Sequence, residues 1–419
     1  MTESMATAGR TDISAQGGTP EAQFALALTY LNGRGVPRDE KQGVAWLEKA
    51  ATQGYAEAQF HLGARHATGQ GVAQDADKAI AWCRKSAAQG HVKAQYNLGL
   101  LLYGRKGAGA QHKWEAIEWF EKAANGGYAG AQNNLGLIYA NGVDVPRDYP
   151  RALDLFARAA AQGDAAGQNN LGIMYSAGKG VPQNHMQAAG WYAKAAALGH
   201  AAAQYNLANL YEIGKGVGQN IEVAARWYRK AAEQGHLKAQ FGLAQILARG
   251  DRLPQDMPDA LFWYRKAAEQ GHAEAQLQVA KILDAGCGVE RDTREALRFY
   301  ELAARQEIVE AQFRLGMFYD CGVDVDKDDE TALQWYGKAA EQGLARAQYN
   351  FGLMLAYGHG SAADPVKAWQ WLNLAEAAGV QRAARHRRNI EIGLSGQQLA
   401  AAKLAVAEWT PRNKRQRDR

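Results

Sequence analysis

Ten glutamines stand at one place in a repeating pattern: Gln23, Gln59, Gln95, Gln132, Gln168, Gln204, Gln240, Gln276, Gln312 and Gln348. Each interval is 36 residues, except for one of 37 between Gln95 and Gln132. The same joint surrounds each of them and is clearest as KAAEQGHAEAQ, Lys266 to Gln276. A period this regular constrains the fold more than composition does. Each unit can bury its apolar face only against the next, so the chain is a stack of repeats and not two or three separate domains.

Composition agrees with packed helices: 47% of residues are hydrophobic and only 9 are proline. The net charge of +5 is small for 419 residues. It permits an acidic partner and does not favour nucleic acid. No run of about 18 apolar residues offers a membrane span. The first twenty residues are polar and lack the apolar centre of a secretory signal, so a cytoplasmic location is expected, or a periplasmic one if a signal once preceded them. Cys83, Cys287 and Cys321 are odd in number and fall at different repeat positions, which argues against a disulfide ladder and fits a reducing compartment.

Within each unit the pattern reads as two helices. Leu26 and Tyr30 follow Gln23 by three and seven residues, one face of a first helix. Gly33 and Gly35 then turn the chain. Asp39 is placed to cap the second helix, as are Asp75, Asp148, Asn184, Asn220, Asp256, Asp292, Asp328 and Asp364, with His112 in that place in the third unit. Along the second helix a small residue precedes an aromatic by three, as in Ala188 and Trp191, so the aromatic is expected to fill the space between layers. A lysine, two small residues and a glycine close the unit, as in Lys230–Ala231–Ala232 and Gly235.

Two units break the rule. The third carries its extra residue in Gly104–Gly109, where a looser loop is expected. The eighth has Gln306–Glu307 where others have Gln-Gly, so its turn should be strained or reshaped. The expected organisation is a flexible arm over 1–19, ten repeats over 20–379, capping helices over 380–410 and a basic tail over 411–419. Ser395 and Gln398 have the spacing of a capping box.

AQYNLG (Ala94–Gly99, with AQYNLA at Ala203–Ala208), the loop Gly178–Lys179–Gly180–Val181 and the run from Trp227 to His236 resemble Sel-1-like repeats, relatives of the tetratricopeptide repeats. The likeness covers roughly Pro20 to Gly379. It implies an all-α, right-handed α/α superhelical solenoid whose first helices line a concave groove. It also implies an adaptor or scaffold that binds a protein or peptide, in bacteria often within envelope, signalling or host-contact assemblies. An envelope protein binding polysaccharide or peptidoglycan is the alternative. Some cysteine-rich relatives are linked to β-lactam binding or hydrolysis, but their regular disulfide cysteines are absent here.

On that geometry, residues one, five and eight after each glutamine face the groove, opposite the Leu/Tyr packing face. The candidate partner-binding residues are Tyr96, Asn133, Asn169, Tyr205, Asn209, Glu212, Lys281, Asp284, Asp320 and Tyr349, with the recurring Asn97, Asn134, Asn170, Asn206 and Asn350 beside them. The register as a whole is mostly apolar in the first half of the chain, from Phe24, Leu28 and Leu31 onward, and gathers Glu212, Asp284 and Asp320 in the second, which suits an extended or helical peptide. In tetratricopeptide relatives a matching asparagine can hold a peptide backbone or carboxylate, although here aromatics largely replace the companion basic residues. The other reading is that the aromatics seal neighbouring repeats and the asparagines belong to the packing.

No catalytic or cofactor site is expected. Gly33–Arg34–Gly35, Gly178–Lys179–Gly180 and Gly214–Lys215–Gly216 follow no strand and are turns, not phosphate loops. His91, His200, His236 and His272 share one repeat position and would stand about 10 Å apart, too far to share a metal. Nothing pairs a nucleophile with a base, so neither an enzyme nor a metal protein is expected. The basic end could touch an acidic surface, but a charge run of this kind is ordinarily a solvated tail.

Overall fold

The computed structural model describes residues 18–412 apart from 106, 108, 251 and 252. The expected arm up to residue 17 and the basic tail from residue 413 lie outside the described residues. All 22 regular elements among the described residues are α-helices, and the chain divides into two compact units, Met1–Asn220 and Ile221–Arg419.

The first unit holds α1 (Pro20–Asn32), α2 (Glu40–Thr52), α3 (Ala56–Thr68), α4 (Ala76–Ala88), α5 (Val92–Tyr103), α6 (Ala110–Asn125), α7 (Ala129–Asn141), α8 (Tyr149–Ala161), α9 (Ala165–Ala177), α10 (His185–Ala197) and α11 (Ala201–Ile213). The second holds α12 (Ile221–Glu233), α13 (Leu237–Arg249), α14 (Met257–Glu269), α15 (Ala273–Ala285), α16 (Thr293–Arg305), α17 (Val309–Cys321), α18 (Asp329–Glu341), α19 (Ala345–Tyr357), α20 (Pro365–Ala377), α21 (Gln381–Glu391) and α22 (Gly396–Glu408). Within each unit the helices pack chiefly on their neighbours in sequence, as in a helical solenoid, except that α22 folds back onto α20 and not onto α21.

Local chemistry sets the boundaries. Asp39, Asp75, Asp148, Asn184, Asp256, Asp292, Asp328 and Asp364 each accept a backbone N–H two or three residues on. First helices of the repeats end in left-handed glycines, such as Gly33 and Gly178 at φ of 67° and 66°, except α5, whose Gly104 is right-handed at φ of −82°. The third unit differs from expectation: α6 runs to 16 residues and begins after Gly109, with His112 inside it and no side-chain cap. The extra length is thus taken up as helix. Thr19 belongs to the fold, since its hydroxyl accepts from the Ala22 N–H at the start of α1.

Glu307 answers the question of the eighth turn. It keeps the shape that glycine gives elsewhere, at φ of 63°, so this turn is strained and not reshaped. The expected capping box of Ser395 and Gln398 forms at the start of α22.

The core differs from the expected pattern in one respect. The most deeply buried aromatic of a second helix is the residue after the tryptophan position: Phe120, Phe156, Tyr228, Tyr300 and Tyr336. Five tryptophans, Trp82, Trp119, Trp191, Trp227 and Trp335, stay half-buried. Each carries a lysine ammonium three residues on, 3.9–4.5 Å above its ring. At the same position Trp46, Trp263 and Trp371 are buried, and each of the five others leaves part of its indole outside. That outer part is covered by the closing lysine, which shields apolar area while keeping the ammonium in water.

Candidate functional site

The first helices carry every candidate binding residue, and the joints between repeats decide which of them face outward. The repeating glutamines form the joint. Gln132 is buried and donates through Nε2 to the Ala124 carbonyl at 3.1 Å, joining the Gly127 N–H and the Arg158 guanidinium on that helix-terminal oxygen. Its Oε1 accepts from Gln162, thirty residues on, at 2.8 Å. The same donor bond recurs at Gln59, Gln95, Gln168, Gln204, Gln240, Gln276, Gln312 and Gln348. These glutamines mark the period because each is buried and, from Gln59 on, ties the start of its repeat to the end of the preceding one through Nε2.

Next to the glutamine, the ring at the following position meets the residue that caps the next first helix. Tyr96 lies 4.8 Å from Tyr128, and Phe241 stacks on His272 at 4.3 Å. The histidines just after the closing glycines have a role that periodicity alone did not suggest. His91, His200, His236 and His272 each accept through Nδ1 from a backbone N–H three residues on, at 3.1–3.2 Å. They serve as helix caps, which requires a neutral ring on that nitrogen.

Where the ring is replaced by asparagine, a polar link takes its place. Asn133 and Asn169 are 8% and 5% exposed. Their Oδ1 atoms accept from Asn170 and Asn206 of the following repeat, at 2.8 and 3.0 Å. Asn134 likewise donates to the Tyr96 hydroxyl at 3.1 Å, and burial with the nearby Tyr128 raises the Tyr96 pKa. Asn350 stands beside the Tyr336 hydroxyl, and Tyr349 is buried. Thus Tyr96, Asn133, Asn134, Asn169, Asn170, Asn206, Tyr349 and Asn350 all take part in contacts within or between repeats. Asn97, Tyr205 and Asn209 are half-buried on the same helices.

The charged candidates of the second half are also engaged. Asp284 accepts from the Tyr300 hydroxyl at 3.3 Å and lies 3.7 and 3.9 Å from Arg291 and Arg314. Asp320 accepts from the Tyr336 hydroxyl at 3.2 Å. These carboxylates and burial together raise the pKa of both tyrosines. Glu212 and Lys281 are half-buried.

Water reaches the register five residues after the glutamine. Leu100, Leu137 and Ile173, on α5, α7 and α9, are 41%, 37% and 38% exposed at matching positions of three successive repeats. Leu100 and Leu137 line one open cleft of about 280 Å³ together with Tyr103, Asn134, Asn141 and Val143. The cleft adjoins the irregular third unit. There, Asp144 accepts from the Tyr103 hydroxyl and from Lys113, holding the loop of Val143 against the lengthened α6. Those two bonds hold the Asp144 pKa below the usual carboxylate range, and burial with Asp144 pushes Tyr103 up to about 12.

The remaining chemistry is plain. Cys83, Cys287 and Cys321 are unpaired thiols, and burial pushes Cys83 up to about 12. Among the described residues no group of three or more His, Cys, Asp or Glu stands close enough to hold a metal ion. No described helix is long and apolar enough to cross a membrane.

The family model of the Sel1 repeat matches ten times in succession, from 20–55 to 345–380, and leaves no gap longer than one residue. The chain belongs to the Sel1 repeat family. Two solved Sel1 structures are similar to it. One is the Escherichia coli protein c5321, described as a protective antigen of uropathogenic strains with this repeat fold. It is 34% identical over 96% of this chain and 94% of its own, with a TM-score of 0.63. The other is a Sel1 repeat protein from Oxalobacter formigenes, 35% identical over 74% of this chain and 90% of its own, with a TM-score of 0.53. Among curated proteins none matches. The last Sel1 match ends at 380, so α21 and α22 follow the tenth repeat. Sel1 solenoids typically serve protein–protein interaction and are generally scaffolds, not enzymes.

Proposed function

We propose that this Sel1 protein is an interaction scaffold that holds a segment of a partner protein across its first helices. The observation that carries this is the exposed row of Leu100, Leu137 and Ile173. These are large apolar side chains left exposed at one matching register by three consecutive repeats, whereas the other exposed apolar residues of these repeats, Trp114, Val143, Met186 and Leu198, fall outside that register. A stack of rigid helices presents such a row already ordered, so binding costs little further entropy on the receptor side. Asn134, at the edge of the cleft and bonded to Tyr96, offers a positioned amide beside the apolar anchors.

Affinity capture from the native cells tests this, with the wild type beside a Leu100→Ser, Leu137→Ser, Ile173→Ser variant of matched helicity. A partner held by the wild type and lost by the variant supports the reading. Equal capture by both removes this face from it. A second reading, an envelope assembly role with a polysaccharide or peptidoglycan ligand, draws support from the description of the similar Escherichia coli protein as a protective antigen. Cell fractionation separates the two, because a wholly cytosolic pool is incompatible with the envelope role.

A further inference from the structure

The helix after the last repeat, α21, continues the first-helix register with a different chemistry. Arg385, His386 and Asn389 stand where Tyr349, Asn350 and Leu353 stand one period earlier on α19. The helix bears four arginines, Arg382, Arg385, Arg387 and Arg388, against one carboxylate, Glu391. Arg387 is neutralised: its guanidinium donates to Glu376 at 2.7 Å and to Glu391 at 2.6 Å. Among the described residues no carboxylate stands within ion-pair distance of Arg382, Arg385 or Arg388.

The repeat shows why Arg382 has no partner. One period earlier, Arg346 lies 4.8 Å over the Phe313 ring and donates to Glu310 at 2.8 Å. Arg382 repeats the stacking, 4.4 Å over Tyr349, but the position equivalent to Glu310 is Arg346 itself. The ring contact is thus retained and the carboxylate is missing. Arg385 and Arg388 follow Arg382 at three and six residues, so all three exposed side chains share one side of α21. Between α19 and α21 lies a cleft of about 220 Å³ lined by Leu353, Ala356, Tyr357, His386, Asn389 and Ile390.

We propose that this end of the second unit docks an acidic peptide segment of a partner protein. Its carboxylates lie against Arg382, Arg385 and Arg388, and one apolar side chain enters the cleft. The planar guanidinium suits carboxylates because it can donate two parallel bonds to one group. Charge alone would also attract a nucleic acid. The cleft selects a polymer that carries apolar side chains, and it is too small for the run of stacked bases that single strands require. The inference rests on reading the first-helix register as a binding face and specifies what the far end of that register takes.

The test is fluorescence anisotropy on the full chain with a labelled Asp/Glu-rich peptide carrying a central Leu-Phe pair. The same peptide with Ser-Ser in the centre, oligothymidylate and phosphatidylglycerol vesicles are run beside it. The acidic Leu-Phe peptide is expected to bind. Arg382→Gln, Arg385→Gln, Arg388→Gln together should weaken it about tenfold, as expected for three exposed ion pairs, and the Ser-Ser peptide should bind several-fold more weakly. No binding of the Leu-Phe peptide, equal binding by the triple variant, or tighter binding of oligothymidylate or vesicles through the same arginines would overturn it. Leu100→Ser, Leu137→Ser, Ile173→Ser leaves this site intact. If that variant loses its captured partners while the arginine variant keeps them and the peptide fails to bind, only the α21 site is removed.

Discussion

Gln162 donates through Nε2 to Oε1 of Gln132 at 2.8 Å, tying the end of α8 to the start of α7 within one repeat. The link recurs within each unit where glutamine stands thirty residues after the repeat glutamine, as in Gln89 to Gln59 and Gln342 to Gln312. In two repeats where it does not, the acceptor is orphaned. Oε1 of Gln168 and of Gln348 are buried without a partner, and the positions thirty residues on are Leu198 and Ala378. Leu198 is 60% exposed, so little apolar burial is lost by changing it. Leu198→Gln and Ala378→Gln are each expected to stabilise their unit by about 1 kcal/mol, the net worth of one hydrogen bond to a buried acceptor. Urea unfolding monitored by circular dichroism checks this, and unchanged midpoints for both variants would refute the account.

Glu307 holds a left-handed backbone that glycine holds in the equivalent turns, such as Gly271 at 88° and Gly343 at 94°. Such a conformation costs a side-chain-bearing residue about 1–2 kcal/mol. The function of the turn is in its carbonyl, which accepts from Gln342 at 3.2 Å and is indifferent to the side chain. The carboxylate makes one exposed contact, to Arg412 at 3.5 Å, worth little in water. Glu307→Gly is therefore expected to raise stability by about 1 kcal/mol, after subtracting the extra flexibility glycine gives the unfolded chain. A lower melting midpoint would show that the strain is relieved in some other way.

The histidine caps make stability depend on pH. Burial pushes the His200 and His272 pKa values below the ordinary 6.5, against the opposing pull of Asp164 and Glu274. A proton on Nδ1 would also abolish the bonds to the Ala203 and Ala275 N–H groups. Because the unfolded chain binds these protons more readily, their contribution is complete above pH about 6.5 and is lost as pH falls through the lowered folded values. The melting midpoint should drop between about pH 7.5 and about pH 5.5. Asparagine caps a helix without titrating in this range, so His200→Asn with His272→Asn should reduce that drop. Equal drops in variant and wild type would place the titration elsewhere.

The sequence made much of this architecture legible because the relevant interactions are local. Glycine turns, Asp and Asn caps and the Ser395–Gln398 box act within a few residues, and the 36-residue period repeats them. The links between residues distant in sequence were harder to read. The Gln132–Gln162 and Asn133–Asn170 partners are 30 and 37 residues apart, and nothing in a helical periodicity says which amide meets which. A signal did exist, since a second glutamine recurs thirty residues after the first in most units. The histidines were visible as a series, but spacing could only show that they are too far apart for a metal. It could not show that each bonds its own helix. The exposed row of Leu100, Leu137 and Ile173 was within the residues expected to face outward, whereas the asparagines beside it proved to be shared with the joints.

That sharing can be separated by measurement. Asn170 donates to Asn133, a residue that is 8% exposed, and replacing either leaves the other amide short of one bond. A double-mutant cycle with Asn133→Ala and Asn170→Ala should give a coupling of about 0.5–1.5 kcal/mol, the range for one hydrogen bond between residues in contact. If the asparagines serve only the joint, Asn170→Ala will lower stability while the captured partner remains bound with unchanged affinity. If Asn170 also holds the partner, affinity will fall by more than the loss of folded protein accounts for. The Asn133→Ala variant then becomes the control, because it removes the same bond from the buried side and leaves the Asn170 amide facing the ligand. A vanishing coupling energy would mean that the 2.8 Å contact is replaced by water at no cost, and the asparagine links would then contribute nothing to holding the repeats together.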